Sequence, residues 1–155
     1  MSEQYAELIT TFPLFDGFTA NGTKRLIDAG ELKDLAAGEI LLSEGDDADF
    51  AVLILAGTIE VFVERDRKDL ILTEASPGTI LGELALLCGI PRSASARAKE
   101  KSTVLKWSDE TLRTLLLRDR SLAQRIFRQA LRTLIDKERS LIDSLVKAQA
   151  AGTPN

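Results

Sequence analysis

Residues 79–98, with the sequence TILGELALLCGIPRSASARA, form the most informative stretch of this chain. Gly82 follows a short segment predicted as a strand, and residues 83–87 have helical composition. A glycine at such a junction lets the backbone approach a bound molecule closely, and the first free N–H groups of a helix attract anions. The stretch therefore predicts a turn that holds an anionic ligand against backbone groups.

Two charged side chains, Glu83 and Arg92, define the chemistry of this stretch. Arg92 stands between Pro91 and the small residues 93–96, and its planar guanidinium can bind a phosphate with two parallel hydrogen bonds. Glu83 would repel a phosphate directly, but its carboxylate can accept a hydrogen bond from a sugar hydroxyl. A sugar phosphate suits both side chains. The alternative is that Glu83 and Arg92 pair with each other as a buried salt bridge.

Around this stretch the pattern is that of a small β protein. Turn signals recur roughly every 8–12 residues, which is typical of a sandwich or barrel. The run FAVLILA at 50–56 is continuously apolar and predicts a strand buried on both faces, whereas the charged residues 65–69 predict a hairpin loop. Strands are predicted at residues 31–36, 40–43, 50–56, 58–64, 70–75, 93–98 and 103–107.

Helices are predicted at both ends of the chain. Residues 5–11 have helical spacing that stops at Pro13, and residues 23–29 predict a second short helix capped by Asn21 or Thr23. Ser108 is a predicted N-cap of a helical region that continues to about residue 150 with a break near Asp119.

Together these patterns predict a fold that is mainly β with flanking helices. The expected architecture is a small β-barrel of the jelly-roll type, with about eight strands over residues 31–107 and helices over residues 109–150. An N-terminal helical turn precedes the barrel. Residues 1–150 are expected to form a single domain, and residues 151–155 a flexible tail.

Composition limits the function classes. The chain has 155 residues, 24 acidic and 20 basic, with a net charge of -4, which argues against a general nucleic-acid binder. It has no histidine and one cysteine, Cys88, so histidine-based catalysis, an intrachain disulfide and a structural zinc site are not expected. No signal peptide and no apolar run of about 20 residues is present. We therefore expect a cytoplasmic protein that is not an enzyme and does not bind a membrane or a metal.

Residues 81–94 resemble the phosphate-binding cassette of the cyclic-nucleotide-binding domain family, whose motif is roughly F-G-E-[LI]-A-[LI]-x-x-x-x-P-R-[SAT]-A. This chain has LGELALLCGIPRSA, with the spacing unbroken and Leu81 in place of the aromatic residue. The segments PLF at 13–15, GEI at 38–40, EGD at 44–46 and GTIEV at 57–61 are similar to other motifs of the family. The resemblance covers about residues 12–147.

The resemblance implies a role for each matching residue. Glu83 would accept the ribose 2′-hydroxyl, Arg92 would pair with the cyclic phosphate, and Gly82 would allow the close approach. Phosphate oxygens would be held by backbone N–H groups of Leu84, Ala85 and Ala94, with the Ser93 hydroxyl as a further donor. Apolar contact with the base is assigned to Val61 and Leu72, and a polar contact from the last helix to Arg132, Asp136, Lys137 or Glu138.

The resemblance also implies a regulatory module that changes its helix arrangement when it binds a ligand. Serine at position 93 resembles the residue found there in bacterial cAMP receptors and channels, which favours cAMP as the ligand. The resemblance implies no cofactor besides this ligand. The alternatives are a cGMP-selective domain, or an interaction domain of the same fold that has lost its ligand. The downstream protein is not indicated by the sequence.

An apolar stripe of 3–4 spacing follows the predicted C-terminal helix, interrupted by Glu138 in the same register. The stripe either packs back on the barrel or forms the seam of a homodimer, as in bacterial transcriptional receptors of this family. Those receptors continue into a helix-turn-helix module, which this sequence does not contain, so no direct DNA binding is expected. The stripe consists of Phe127, Leu131, Leu134, Leu141 and Leu145.

Overall fold

The computed structural model describes residues 2–152, except for the side chains of residues 2, 3 and 20. The helices are α1 (Ser2–Thr10), α2 (Ala20–Ala29), α3 (Glu83–Cys88), α4 (Asp109–Arg118) and α5 (Arg120–Gly152), and a 3₁₀ turn covers Pro13–Phe15. The strands are β1 (Glu31–Leu35), β2 (Ile40–Leu42), β3 (Phe50–Ala56), β4 (Ile59–Arg65), β5 (Lys68–Ala75), β6 (Ile80–Leu81), β7 (Ser95–Ala98) and β8 (Ser102–Ser108).

The eight described strands form two antiparallel sheets of four. One sheet has the order β1-β8-β3-β6 and the other the order β2-β7-β4-β5. This confirms the mainly β fold with flanking helices. Within residues 2–152 the strand pairing stays inside each sheet, so the strands form a two-sheet jelly roll rather than a continuously hydrogen-bonded barrel. The edge strands β2 and β6 have only three and two residues, which leaves few backbone groups to close the ring.

Strand β3 explains why the run at 50–56 is continuously apolar. Its side chains alternate between the two faces of the sheet, and both faces are covered. Val52 and Ile54 pack between the sheets, whereas Leu53 and Leu55 pack against the helices in the cluster that contains Phe15. All five residues from Ala51 to Leu55 are buried, which confirms the predicted strand buried on both sides.

The β4–β5 hairpin is tighter than the predicted loop at 65–69. Asp66 and Arg67 alone make the turn, with φ values of 53° and 63°, as in the type I′ turns that match the twist of paired strands. The charged residues around them belong to the strands, so the prediction of a five-residue loop is wrong. Phe62, an apolar residue on the polar face of β4, is 7% exposed because the Arg97 guanidinium stacks 4.3 Å from its ring centroid.

Helix ends agree with the predicted capping at α4 and differ at α2. The Ser108 hydroxyl accepts a hydrogen bond from the Thr111 N–H, and the break at Asp119 is confirmed, where the carboxylate caps the Leu122 N–H at 3.0 Å. Helix α2 begins at Ala20, earlier than the predicted helix at 23–29, and is capped by Thr19, which accepts from the Gly22 N–H at 3.0 Å. The predicted caps Asn21 and Thr23 lie inside the helix, where the Thr23 hydroxyl donates to the Thr19 carbonyl at 2.9 Å. The expected flexible tail includes residues 153–155, which lie outside the described residues.

Candidate functional site

Gly82 links β6 to α3 and fixes the geometry of the cassette. Its φ of 84° and ψ of -1° lie in the left-handed region, which favours glycine. A Cβ atom at this position would lie 2.5 Å from the Arg92 Nη1. A side chain is therefore excluded both by the backbone conformation and by the guanidinium.

The Arg92 side chain is buried, at 5% exposure, and is held by neutral groups. Its Nη1 donates to the Gly82 carbonyl at 2.8 Å and its Nη2 to the Phe50 carbonyl at 2.6 Å, with the Phe50 ring centroid 4.9 Å away. Its backbone is tied to the turn before β3, because Arg92 N–H donates to the Asp46 carbonyl and Gly45 N–H donates to the Arg92 carbonyl. The guanidinium is therefore positioned before any ligand arrives.

Glu83 is the first residue of α3 and is 6% exposed. Burial raises the pKa of its carboxyl above the ordinary value of 4.5, opposed by a hydrogen bond to its own backbone and by the positive charges of Lys137 and Arg92. Burial also lowers the pKa of the Arg92 guanidinium, opposed by Asp49, Glu83 and Asp46. The two cassette charges are thus close enough to affect each other.

The ion pairs of the described residues do not include one between Glu83 and Arg92. The alternative of a buried salt bridge is therefore not what the structure shows. A carboxylate and a guanidinium that are both buried and lie near each other without pairing leave each group able to bind a separate part of one ligand.

The remaining predicted cassette residues surround this pair. Leu84 and Ala85 lie in the first turn of α3, where backbone N–H groups have no carbonyl partner within the helix. Ala85 is buried and Leu84 partly buried. Ser93 is exposed and Ala94 partly buried, on the segment that leads into β7. The structure thus places the predicted donors on the two segments that carry Glu83 and Arg92.

The two residues predicted to contact the base differ in their placement. Val61 is partly buried on β4, directly opposite Ala96 of β7 and Thr73 of β5, so the three side chains share one face. Leu72 falls at a β-bulge, where the register shifts, and is 56% exposed. Thr73 was missed by sequence reasoning, because a bulge that changes the cross-strand partner has no signal in this sequence.

Phe50 and Lys106 were also missed. The Lys106 Nζ lies 4.2 Å from the Phe50 ring centroid, so this ring contacts two cations, Arg92 and Lys106. An aromatic residue at the start of an apolar run is more simply interpreted as core, and that is why the sequence did not single it out.

The four candidates on the last helix are all exposed. Lys137 is the one whose charge acts on the Glu83 carboxyl, which links it to the cassette. Arg132 instead lines a cleft beside the 3₁₀ turn. The other two candidates are Asp136 and Glu138.

Comparison with known proteins defines the class. The model of the family described as cyclic nucleotide-binding domain matches residues 32–119, and the chain belongs to this family. The curated relatives reported below are named as regulatory subunits rather than as enzymes. The match includes the whole cassette and seven of the eight strands in full.

Curated relatives of this chain include regulatory subunits of cAMP-dependent protein kinases. The cAMP-dependent protein kinase regulatory subunit of Candida albicans is 34% identical over 106 residues, which is 67% of this chain and 22% of that protein. The corresponding subunit of Blastocladiella emersonii is 31% identical over 103 residues, 66% of this chain and 26% of that protein. The chain therefore spans about a quarter of the length of these relatives.

Among solved structures, the catabolite activator protein of Thermus thermophilus matches with a TM-score of 0.77 and 25% identity, over 86% of this chain and 63% of that one. Within residues 2–152, no helix has the length and apolar character that crossing a bilayer requires.

Proposed function

We propose that this domain binds cAMP between Glu83 and Arg92 and acts as a regulatory module. The observation that carries the proposal is the pair of buried, opposite charges that lie near each other without forming an ion pair. Such charges are costly to bury, and a ligand that binds both of them would offset that cost. Relatives named as cAMP-dependent protein kinase regulatory subunits support the choice of ligand.

Arg92 is the phosphate-binding residue in this proposal. Two of its five N–H donors are used by backbone carbonyls, and the remaining donors are available to an oxygen of the cyclic phosphate. The N–H groups of Leu84 and Ala85 at the start of α3, that of Ala94 and the Ser93 hydroxyl supply further donors. Glu83 accepts the ribose 2′-hydroxyl.

The base would lie against Val61 and Leu72, with Ser93 favouring adenine over guanine. Lys137 of α5 is our choice for the helix residue that reaches the nucleotide, because its charge already acts on Glu83. A phosphate bound at Arg92 would add negative charge to the surroundings of Lys137. We propose that α4 and α5 move in response. Such a movement requires that cAMP binds the two arrangements of these helices with different affinities.

The second half of α5 supports a homodimer. Residues 134–152 are exposed along the whole helix surface, whereas most of the stability of a helix in a protein comes from packing of its apolar face. Glu138 occupies one position of the seam, where a polar residue sets the register at a cost in stability. The seam residues, 47–66% exposed, are Phe127, Leu131, Leu134, Leu141 and Leu145.

Sedimentation equilibrium tests the dimer. Leu141→Glu with Leu145→Glu places two charges in the seam and should convert a dimer to a monomer. The matched control is Ser140→Glu with Ser144→Glu, which adds the same charge outside the seam. A monomeric wild type, or equal loss of the dimer in both variants, would contradict the homodimer.

Calorimetric titration with cAMP and cGMP tests the ligand. We expect saturable heat with cAMP, weaker binding of cGMP and a melting temperature that rises with ligand concentration. Tighter binding of cGMP would support the cGMP-selective alternative. The absence of heat and of thermal stabilisation with both nucleotides would overturn the proposal.

A ligand-free interaction domain is the second candidate. The two backbone carbonyls that hold Arg92 favour it, because they stabilise the guanidinium without any nucleotide. A solved structure with the same fold, 20% identical with a TM-score of 0.75, is described as the regulatory subunit of a cAMP-independent protein kinase A from Trypanosoma brucei. The calorimetric titration separates the two candidates directly.

The downstream partner and the location are also proposals. The relatives suggest a protein kinase as the partner that reads the helix movement. Cys88 is exposed and free, which is compatible with the cytoplasm, where thiols stay reduced.

A further inference from the structure

A second cleft lies outside the cassette, between α5, the 3₁₀ turn Pro13–Phe15 and the turn that contains Thr79. Its volume is about 660 Å³, within the range of small-molecule sites. Neither Glu83 nor Arg92 lines it. The cleft is therefore a separate feature, which the proposed cAMP site does not use.

Three arginines of α5 line this cleft: Arg125, Arg128 and Arg132. Their spacing of three and four residues places them on one face of the helix. The acidic residue in the lining is Asp16, so three positive charges and one negative charge leave a net charge of +2. A concave site with this excess attracts anions, although the whole chain carries a net charge of -4.

The three guanidiniums lack carboxylate partners. None of them belongs to an ion pair within the described part of the chain. Arg125 makes a long contact of 3.4 Å to the Leu14 carbonyl and lies 5.8 Å from the Phe18 ring centroid. Like charges at this helical spacing repel each other, so a bound anion would relieve a repulsion that is built into α5.

Gln129 adds an unsatisfied amide to the same wall. Its Oε1 is buried and accepts no hydrogen bond from the residues that the structure describes. Buried polar atoms normally have a partner, and a half-turn of the amide exchanges its oxygen for an N–H donor. The amide can therefore adapt its orientation to a ligand in the cleft.

We propose that this cleft binds a small molecule that carries at least two linked phosphate groups. Arg125 and Arg132 are about 10 Å apart along the helix axis, from a rise of about 1.5 Å per residue. Two or three linked phosphates can contact several guanidiniums over this distance, and the arginine fork matches phosphate oxygens.

The test is calorimetric titration of the full chain at low salt with inorganic tripolyphosphate and, separately, with ATP. Wild type should bind, and Arg128→Gln with Arg132→Gln should weaken binding by about tenfold or more. Binding of both probes indicates that the phosphates suffice, whereas a preference for ATP indicates a nucleoside polyphosphate. Both results support the proposal.

The matched control is Arg118→Gln with Arg139→Gln, which removes the same charge from exposed arginines that do not line the cleft. We expect its affinity to stay close to that of wild type. Arg92→Ala should keep tripolyphosphate binding, which separates this cleft from the cAMP site. No binding of either probe by wild type, or equal loss in both double variants, would overturn the proposal.

Discussion

Arg92 and Arg97 are five residues apart in the sequence, and the structure satisfies them in different ways. Arg97 lies on β7 and donates to two carboxylates, Glu60 at 3.1 Å and Asp69 at 2.7 Å. Arg92 lies in the cassette and donates to two backbone carbonyls instead. Arg97 is partly exposed, whereas Arg92 is buried.

The comparison shows which charge is available to a ligand. The carboxylates of Glu60 and Asp69 neutralise Arg97 within the chain and raise the pKa of its guanidinium. Neutral carbonyls position Arg92 without cancelling its charge, so a bound phosphate can be its anionic partner. In our proposal, the partners of each arginine, rather than its residue type or its place in the sequence, distinguish the structural role of Arg97 from the ligand-binding role of Arg92.

Removal of Arg92 should have the largest effect. Arg92→Ala leaves a bound phosphate without its charge partner, a loss of about 3–5 kcal/mol. This corresponds to a roughly 10²–10⁴-fold weaker affinity for cAMP by calorimetry. Arg92→Lys should also bind more weakly, because an ammonium cannot form two parallel hydrogen bonds.

Circular dichroism and the melting temperature keep this prediction testable, since Arg92 also holds the Gly82 and Phe50 carbonyls. A folded Arg92→Ala variant with near-normal affinity for cAMP would remove the distinction between the two arginines.

Glu83→Gln should have an intermediate effect on binding. The amide oxygen still accepts the ribose hydroxyl, but the loss of the acceptor's charge weakens this hydrogen bond by about 1–1.5 kcal/mol, or roughly 5–10-fold in affinity for cAMP. Calorimetry at neutral pH measures this change, and an unchanged affinity would contradict the role of the carboxylate.

The same variant gives a pH test of stability. Because burial raises the pKa of Glu83, folding stabilises the protonated carboxyl relative to the ionised one. This contribution to the free energy of unfolding is present at low pH and is lost as the pH rises from 4.5 through the raised pKa. Glu83→Gln stays neutral, so its free energy of unfolding should increase relative to wild type over this range. Denaturant unfolding at pH 4 and pH 7.5 measures the difference. A difference that does not change with pH would show that the carboxyl is not destabilised by burial.

Arg97→Ala should have the smallest effect on the ligand. Its partners Glu60, Asp69 and Phe62 lie on the outer face and include no proposed cassette residue. We expect the cAMP affinity to stay within about twofold of wild type, as for sites without shared partners. A loss as large as that of Arg92→Ala would mean that overall positive charge, not the position of one guanidinium, governs binding.

The sequence predicted the strands and the cassette because their signals are local. The continuous apolar run at 50–56, the cap at Ser108 and the Gly82 junction each follow from a few adjacent residues. The family resemblance identified Glu83 and Arg92 as neighbours in space, and the structure places both in one buried region. The roles assigned to them stay predictions.

Features that depend on distant partners were not predicted. The tight turn requires positive φ at both of its central residues, a conformation that glycine adopts most easily. Asp66 and Arg67 adopt it because pairing of the long strands β4 and β5 stabilises the hairpin. The bulge at Leu72 and the contact of Phe50 with Arg92 depend on register and packing across the sheets. Thr19 was missed as the cap of α2 because the helix begins at Ala20, three residues before the predicted start, which places Thr23 inside the helix.

The central claim is tested most directly by a crystal structure of this chain with cAMP. The account predicts the Arg92 guanidinium at about 2.7–2.9 Å from an oxygen of the cyclic phosphate, with the Glu83 carboxylate accepting the ribose 2′-hydroxyl. A bound cAMP whose phosphate makes no contact with Arg92 would contradict it.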